Sequence, residues 1–303
     1  MDKDNHYRNI EPRLSLRYRL DPGSSIKTSY TQNYQYVHLA STSGISLPTD
    51  LWVPSSSVIN PKFSTQYAVG YFKNLQDNVF ETSVELYYKN MENLIEYKEG
   101  VLPEDNTNTN SDDAFTFGDG TSYGGELLIK KNTGKTTGWI GYTLSKTTRF
   151  FDDINNGDPF PAKYDRRHDL SITATYQLTR AWNLSSVFVY STGNSITLPS
   201  QRYLVDGNVY TEYDSRNGFR MDPYHRLDIS ATYKPKKKKR FTSSWNFSIY
   251  NVYNRKNPYF IYLAMEDNIE DQNGNIEDGN INPKAYQVSI FPILPSITWN
   301  FSF

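Results

Sequence analysis

Ser296-Ile297-Thr298-Trp299-Asn300-Phe301-Ser302-Phe303 alternates without a break. In an extended strand Ile297, Trp299, Phe301 and Phe303 share one side, and Ser296, Thr298, Asn300 and Ser302 share the other. One face is built for an apolar medium and the other for water. Chain ends ordinarily fray, so three large aromatics packed into a carboxyl end call for a reason. The closing strand of a transmembrane β-barrel supplies one: an aromatic girdle sits at the lipid boundary, and the free carboxylate follows in water.

Composition points the same way. Only 37% of the 303 residues are hydrophobic, yet the chain holds 25 Tyr, 16 Phe and 5 Trp, and its mean hydropathy is -0.68. A soluble core draws mainly on Leu, Ile and Val. A barrel wall touches lipid with every second residue and places Tyr and Trp at both water boundaries. No stretch approaches the ~18 consecutive apolar residues of a membrane helix, which leaves spanning by strands untouched. With 32 basic and 33 acidic residues there is no basic excess to suggest nucleic acid as a partner. The absence of Cys removes disulfides, thiolate metal sites and thiol nucleophiles, and is compatible with an envelope compartment. Met1-Asp2-Lys3-Asp4-Asn5-His6-Tyr7 has no apolar signal core, so an export signal is expected upstream.

Alternation recurs along the chain. Leu14, Leu16, Tyr18 and Leu20 oppose Arg13, Ser15, Arg17 and Arg19, and Asp21-Pro22-Gly23-Ser24 follows as a tight turn. Further strands carry Ile26, Thr28 and Tyr30; Phe63 to Tyr71; Phe80 to Tyr88; Tyr123 to Ile129; Ile140 to Leu144; Leu170 to Tyr176; Trp182 to Tyr190; Leu227 to Tyr233; and Trp245 to Ile249. Short turns alternate with long polar loops expected at His38–Pro61, Glu99–Asp119, Phe150–Pro161, Asn194–Pro223 and Glu266–Pro283. The count is about eleven antiparallel strands, with short periplasmic turns and long extracellular loops. His168-Asp169-Leu170-Ser171-Ile172-Thr173-Ala174-Thr175-Tyr176 and His225-Arg226-Leu227-Asp228-Ile229-Ser230-Ala231-Thr232-Tyr233 echo one another, each with His at one boundary and Tyr at the other. An odd count places Met1 on the outside, whereas bacterial single-chain barrels normally have even counts. The expectation is that residues 1–303 are the carboxyl-terminal portion of a larger barrel, eleven being half of the 22 strands of plugged transporters.

Several strings, in order, resemble the distal barrel of TonB-dependent receptors, in the form found in Bacteroidetes. They are Ser122-Tyr123-Gly124-Gly125-Glu126-Leu127, Gly138-Trp139-Ile140-Gly141-Tyr142-Thr143-Leu144-Ser145-Lys146 and Tyr164-Asp165-Arg166-Arg167-His168-Asp169-Leu170. Tyr190-Ser191-Thr192-Gly193-Asn194-Ser195-Ile196-Thr197-Leu198-Pro199, Tyr224-His225-Arg226-Leu227-Asp228 and Asn251-Val252-Tyr253-Asn254-Arg255-Lys256-Asn257-Pro258 extend the likeness. The resemblance implies a 22-strand barrel in the outer membrane of a Gram-negative bacterium, in contact with its lipid, with a plug inside. It implies energy from the TonB complex and uptake of a bulky nutrient such as a ferric siderophore, cobalamin or glycan fragment. It also implies that Trp299, Phe301 and Phe303 are read by the barrel-assembly machinery. The plug, the TonB box, the signal peptide and the amino-terminal half of the barrel have no counterpart in these residues.

Chemistry is sparse. His168 and His225, with Ser and Asp neighbours, are the only basis for a rim-site hydrolase, and their matched places on two echoing strands favour interface residues. No catalytic residue and no cofactor is expected. Asp271, Asn273, Asn275 and Glu277 set oxygen ligands at alternate positions, as calcium loops do, but Ile276 and Asn282 break the EF-hand form, and a solvated loop tip is the plainer reading. Lys236 to Arg240 reads as a solvated periplasmic turn. Arg13, Arg17, Arg19, Glu126 and Asp228 face the polar side, where they line the lumen or meet the plug or an anionic ligand. Trp52, Phe115, Phe150, Phe151 and Tyr203 are candidates to stack on a ligand ring or to pack the loops together. The alternative to a receptor is a passive pore or structural barrel fragment.

Overall fold

A computed structural model describes residues 6–40, 51–99, 111–205, 208–213, 215–235, 242–265 and 283–302. In chain order its strands are β1 (Arg13–Asp21), β2 (Ser24–Gln35), β3 (Val37–Ala40), β4 (Leu51–Pro54), β5 (Lys62–Leu75), β6 (Phe80–Tyr97) and β7 (Phe115–Lys131). Then come β8 (Thr136–Phe150), β9 (Phe160–Pro161), β10 (His168–Gln177), β11 (Trp182–Ser191), β12 (Ser195–Ile196), β13 (Pro199–Val205) and β14 (Asn208–Tyr213). The last are β15 (Phe219–Arg220), β16 (Tyr224–Tyr233), β17 (Thr242–Tyr250), β18 (Phe260–Met265), β19 (Pro283–Val288) and β20 (Leu294–Ser302).

Eleven of these form one antiparallel wall in the order β1-β2-β5-β6-β7-β8-β10-β11-β16-β17-β20, with β9 paired to β8. The strand count expected from alternation is the one observed. Each wall strand neighbours the next in sequence, so every short turn is a local hairpin whose geometry the turn residues set. Asp21 closes the first, its carboxylate accepting from the Gly23 amide at 2.7 Å and the Ser24 hydroxyl at 2.6 Å. In another, the Thr179 hydroxyl accepts from the amides of Ala181 and Trp182 at 3.2 and 3.1 Å.

Register carries the two faces across the wall intact. Tyr18, Ile26, Tyr71, Val84, Leu127, Tyr142, Leu170 and Tyr190 form one unbroken cross-strand row over eight strands. The adjacent row is Arg17, Lys27, Gly70, Glu85, Glu126, Thr143, Asp169 and Ser191. A one-residue slip anywhere would exchange the faces. On the apolar face Leu16, Val69, Leu86, Ile140 and Ile297 are all exposed. An apolar expanse of that extent is untenable in water and is what a lipid-facing wall requires.

The buried hydrophobic residues lie elsewhere, in the segments beyond the long-loop ends of the strands. Here the expected plain loops are corrected. The His38–Pro61 stretch holds the β3–β4 hairpin, Asn194–Pro223 holds the β13–β14 hairpin and the β12–β15 pair, and β18 and β19 pair across the fifth connection. Strands β6 and β7 run on to Tyr97 and back from Phe115, so β7 begins eight residues before the expected Tyr123. At ~3.3 Å per residue a strand of this length far exceeds an apolar band of about 25 Å. These projections pair with one another because unpaired strand edges in water invite aggregation, and they bury side chains that no lipid covers.

Candidate ligand passage and outer rim

The polar face begins as a consequence of alternation and ends as a patterned charge surface. Glu85 and Glu126 stand directly opposite each other, and Asp169 follows across Thr143 in the same row. Together with Ser83, Thr143, Ser171, Trp139 and Leu128 they line a shallow basin of about 290 Å3. Like charges directly opposed on neighbouring strands destabilise a sheet, so this face is suited to a cationic or hydrogen-bond-donating counterpart. Arg17 and Lys27 lie in the same row at the other edge, Lys27 with its ammonium 3.9 Å from the centre of the Phe72 ring. Further along, Arg226 binds Asp228 at 3.0 Å and donates to the hydroxyls of Tyr224 and Tyr250 at 2.8 and 2.6 Å. Arg13 reaches Glu11 at 3.2 Å. The polar-face residues expected from the sequence therefore do share that face.

Above the wall the outer segments are locked by polar anchors. Asp165, 3% exposed, accepts from Arg220 at 2.6 Å and from the Thr147 amide at 2.7 Å. Arg220 also donates to the Gly193 carbonyl at 3.0 Å. A second anchor surrounds Asn251, fully buried with φ 53°. Its amide donates to Asp228, its side chain donates to the carbonyls of Arg255 and Phe291, and its side-chain oxygen accepts from the Arg255 amide. Asn257 pairs reciprocally with the His225 backbone at 3.0 and 2.9 Å. Arg149 and Glu96 form a further ion pair, and Arg216 joins the Tyr97 carbonyl to the side chain of Asn155 through its own amide. Sequence reasoning marked Asp165, Asn251 and Asn257 only as parts of familiar strings; Arg220 carried no signal, because its partner lies 55 residues away.

Apolar packing completes the rim. Ala40, Val53, Ile59, Ile95, Tyr97, Ala114 and Phe115 make one buried cluster; Leu94, Phe151, Ile154 and Phe160 make another. His38 is fully buried beside the first and lies 3.2 Å from the Ser55 hydroxyl. Burial, then the charge of Lys62, push its imidazole down to about 4 against an opposing backbone hydrogen bond at Asn60.

Of the aromatic candidates, Phe115 packs against Tyr97 at 4.9 Å and Phe151 against Phe160 at 5.9 Å, both tilted, inside these clusters. Phe150 is exposed, but on the apolar side of β8. Trp52 is 61% exposed on the β3–β4 hairpin. Tyr203 lies on β13, paired with Tyr210. Phe115 and Phe151 lie in different buried clusters, and neither cluster includes Trp52 or Phe150. His168 sits against Tyr142, 2.7 Å from its hydroxyl, and His225 against Tyr253 at 2.8 Å, both on the apolar face at the outer boundary. The four calcium-loop candidates, Asp271, Asn273, Asn275 and Glu277, lie outside the described residues, as do Lys236 to Arg240 and Phe303. Trp299 and Phe301 lie with ring centres 4.7 Å apart on β20, tilted at 33°.

Comparison with known proteins agrees with this architecture. The chain superposes on the ferric-catecholate import receptor Fiu of Escherichia coli K12 with a TM-score of 0.57 at 15% identity, covering 96% of this chain and 34% of that one. It superposes on the FrpB iron transporter of Neisseria meningitidis with a TM-score of 0.54 at 14% identity, over 97% and 39%. The outer-membrane ferripyoverdine receptor of Pseudomonas aeruginosa gives 0.53 at 18% identity, over 82% and 29%. The chain thus spans about a third of the length of these structures, and identities this low speak to fold alone. No curated protein sequence matches it. The family model described as "TonB dependent receptor-like, beta-barrel" matches residues 2–254. Such barrels are receptors and transporters of the Gram-negative outer membrane, not enzymes. With that model covering most of its length, this chain belongs to the TonB-dependent receptor β-barrel family.

Proposed function

We propose that the chain forms the distal wall of a TonB-energised receptor that takes up a bulky nutrient, of the Bacteroidetes type, and works together with further barrel strands and an internal plug. The observation that carries this reading is the acidic row Glu85, Glu126 and Asp169 on the polar face. A water-filled pore has no need of opposed carboxylates, whereas a plug or cargo presenting donors does. The two edges of the wall, β1 and β20, and the length of the solved relatives support further strands completing the barrel. The cargo class is a siderophore, cobalamin or glycan fragment; the solved relatives in whose names iron or an iron chelate appears favour the first. Trp52, placed on the rim, is the aromatic best exposed to meet it. Trp299, Phe301 and Phe303 serve the assembly machinery.

The experiment is saturable binding and uptake by cells expressing the receptor that carries this chain, with the TonB system present and absent. Energy-dependent, saturable uptake that falls when Glu85 and Glu126 are both changed to Gln supports the reading. Ligand-independent conductance in planar bilayers without TonB dependence would establish the passive pore instead.

A further inference from the structure

The polar face changes sign along its length. In the membrane-spanning part Glu85, Glu126 and Asp169 make it acidic. Further out, register places Lys89 opposite Gln66 on β5, and Arg149 in the next row with Ser64, Met91 and Gly120. Lys62 lies two residues beyond Ser64 on the same face. On the other face of these strands Tyr67, Tyr88, Tyr123 and Lys146 form a row, and an aromatic row of this kind marks the water boundary. Lys89 is one residue outward of Tyr88, Arg149 three outward of Lys146 and Lys62 five outward of Tyr67. All three therefore belong to the outer mouth of the lumen.

Their charges are not balanced. Arg149 pairs with Glu96, which is 4% exposed where the arginine is 24% exposed, so the acid lies behind and the cation in front. Lys62 and Lys89 are half-buried, and neither makes an ion pair among the described residues. Burial, then the neighbouring charges of Arg149 and Lys89, bring the Lys62 ammonium down to about 8 against the opposing pull of Glu96. The same ammonium helps to lower His38. Three cations thus crowd one another around one carboxylate, an excess that half-buried groups hold at a cost and that an incoming anion relieves. Their backbones span β5 to β8, three inter-strand steps or about 14 Å, bridged by long side chains. A single small anion meets one or two of these heads; several anionic groups on one molecule meet all three.

We infer that Lys62, Lys89 and Arg149 form a binding site for a polyanion, two or more carboxylate or phosphate groups on one molecule, at the outer mouth of the lumen. The arginine offers its planar fork to one such group, and the two ammonium groups meet the others as point charges. The acidic row below repels the same molecule and holds it at the mouth. That the polyanion is part of the cargo rests on the uptake reading; the site itself needs only this face of the wall.

The test uses the whole receptor carrying this chain, in nanodiscs near neutral pH and at constant ionic strength. A short pulse of an N-hydroxysuccinimide acetate acetylates accessible amines, and peptide mass spectrometry reads each lysine. As citrate or tripolyphosphate is added, acetylation of Lys62 and Lys89 should fall along one saturation curve, while Lys98, exposed on the same rim, keeps its rate. Whichever of the two protects at the lower concentration names the anionic group. Inorganic phosphate, which reaches fewer cations, should need at least about tenfold more, the worth of one hydrogen bond to a charged group. Lys89→Gln, which breaks no ion pair, should raise the citrate midpoint read at Lys62 by a similar factor. Protection that merely follows Lys98 overturns the inference, and so does phosphate acting at the same concentration as both polyanions. Lys62 and Lys89 unreactive before any anion is added would show that the receptor itself covers the place, which also overturns it. Protection without energised uptake refutes the uptake reading and leaves the site; uptake without protection refutes the site alone.

Discussion

Removing the Asp165 carboxylate will loosen the outer segments without disturbing the wall. In the folded protein this group is 3% exposed and accepts two charge-assisted hydrogen bonds, from Arg220 at 2.6 Å and from the Thr147 amide at 2.7 Å. Breaking a fully buried ion pair costs about 3–5 kcal/mol. Arg220 is 32% exposed, so water re-solvates part of its charge once the partner is gone, and screening lowers the figure to about 2–3 kcal/mol for Asp165→Ala. At 1.4 kcal/mol per decade the opening equilibrium of the anchored backbone rises about 30- to 150-fold. Asp165→Asn keeps an acceptor for Thr147 and should lose about half as much. Amide hydrogen exchange on the membrane-embedded receptor reads this directly, as faster exchange around residues 160–167 and 215–224 with that of β10 and β11 unchanged. A double-mutant cycle with Arg220→Met should give a coupling above about 1.5 kcal/mol. Additivity of the two changes within about 0.5 kcal/mol would refute the assigned role of the pair.

Three further outcomes follow from the same geometry. His38 titrates about 4 in the fold against an ordinary 6.5, so the unfolded segment takes up its proton first. The rim around it is therefore fully stable above pH 6.5, loses up to ~3 kcal/mol as pH falls to 4, and changes no further below; protease susceptibility of the β3–β4 hairpin should follow that curve and become flat in His38→Gln. Leu86→Lys, on the lipid face, should cost ~2–4 kcal/mol and lower the urea midpoint of the assembled receptor, while Thr143→Lys, half-buried on the polar face between Glu126 and Asp169, should leave it nearly unchanged. Gly193→Ala would drive a Cβ into the Met221 carbonyl, forcing the strand ends apart. It should accelerate exchange at Arg220 even though no side chain is removed; an unchanged rate would count against a close approach there.

The wall was legible because its signal has a period of two and survives in every strand from Leu14 to Phe301. Lipid on one side and water on the other enforce that pattern residue by residue. The rim was not, for two physical reasons. The cluster of Ala40, Val53, Ile59, Ile95, Tyr97, Ala114 and Phe115 is assembled from three separate segments and has no period within any of them. In β6, moreover, the register shifts between Met91 and Leu94, where Asn93 adopts φ 57°; a bulge of this kind re-aims the side chains that follow. Alternation counted upward from Phe80 therefore loses its meaning just where the strand leaves the membrane. The aromatic candidates fared unevenly for the same reason: Phe115 and Phe151 sit in polar stretches that read as solvated, yet their rings are consumed in packing. The roles of Asp165 and Asn251 depend on partners that only the folded register brings within reach.

The ties made by Arg216 bear on how this rim can be altered. Its amide and guanidinium join the connection between β11 and β16 to Asn155, between β8 and β10, and to the end of β6 at Tyr97. Asn217 adds a bond to the Pro161 carbonyl at 2.9 Å. Three connections that are distant in sequence thus form one cross-braced assembly. Grafting any one of them alone into a homologous barrel would sever its braces, so the unit of exchange for recombination or for engineering a new specificity is the trio together.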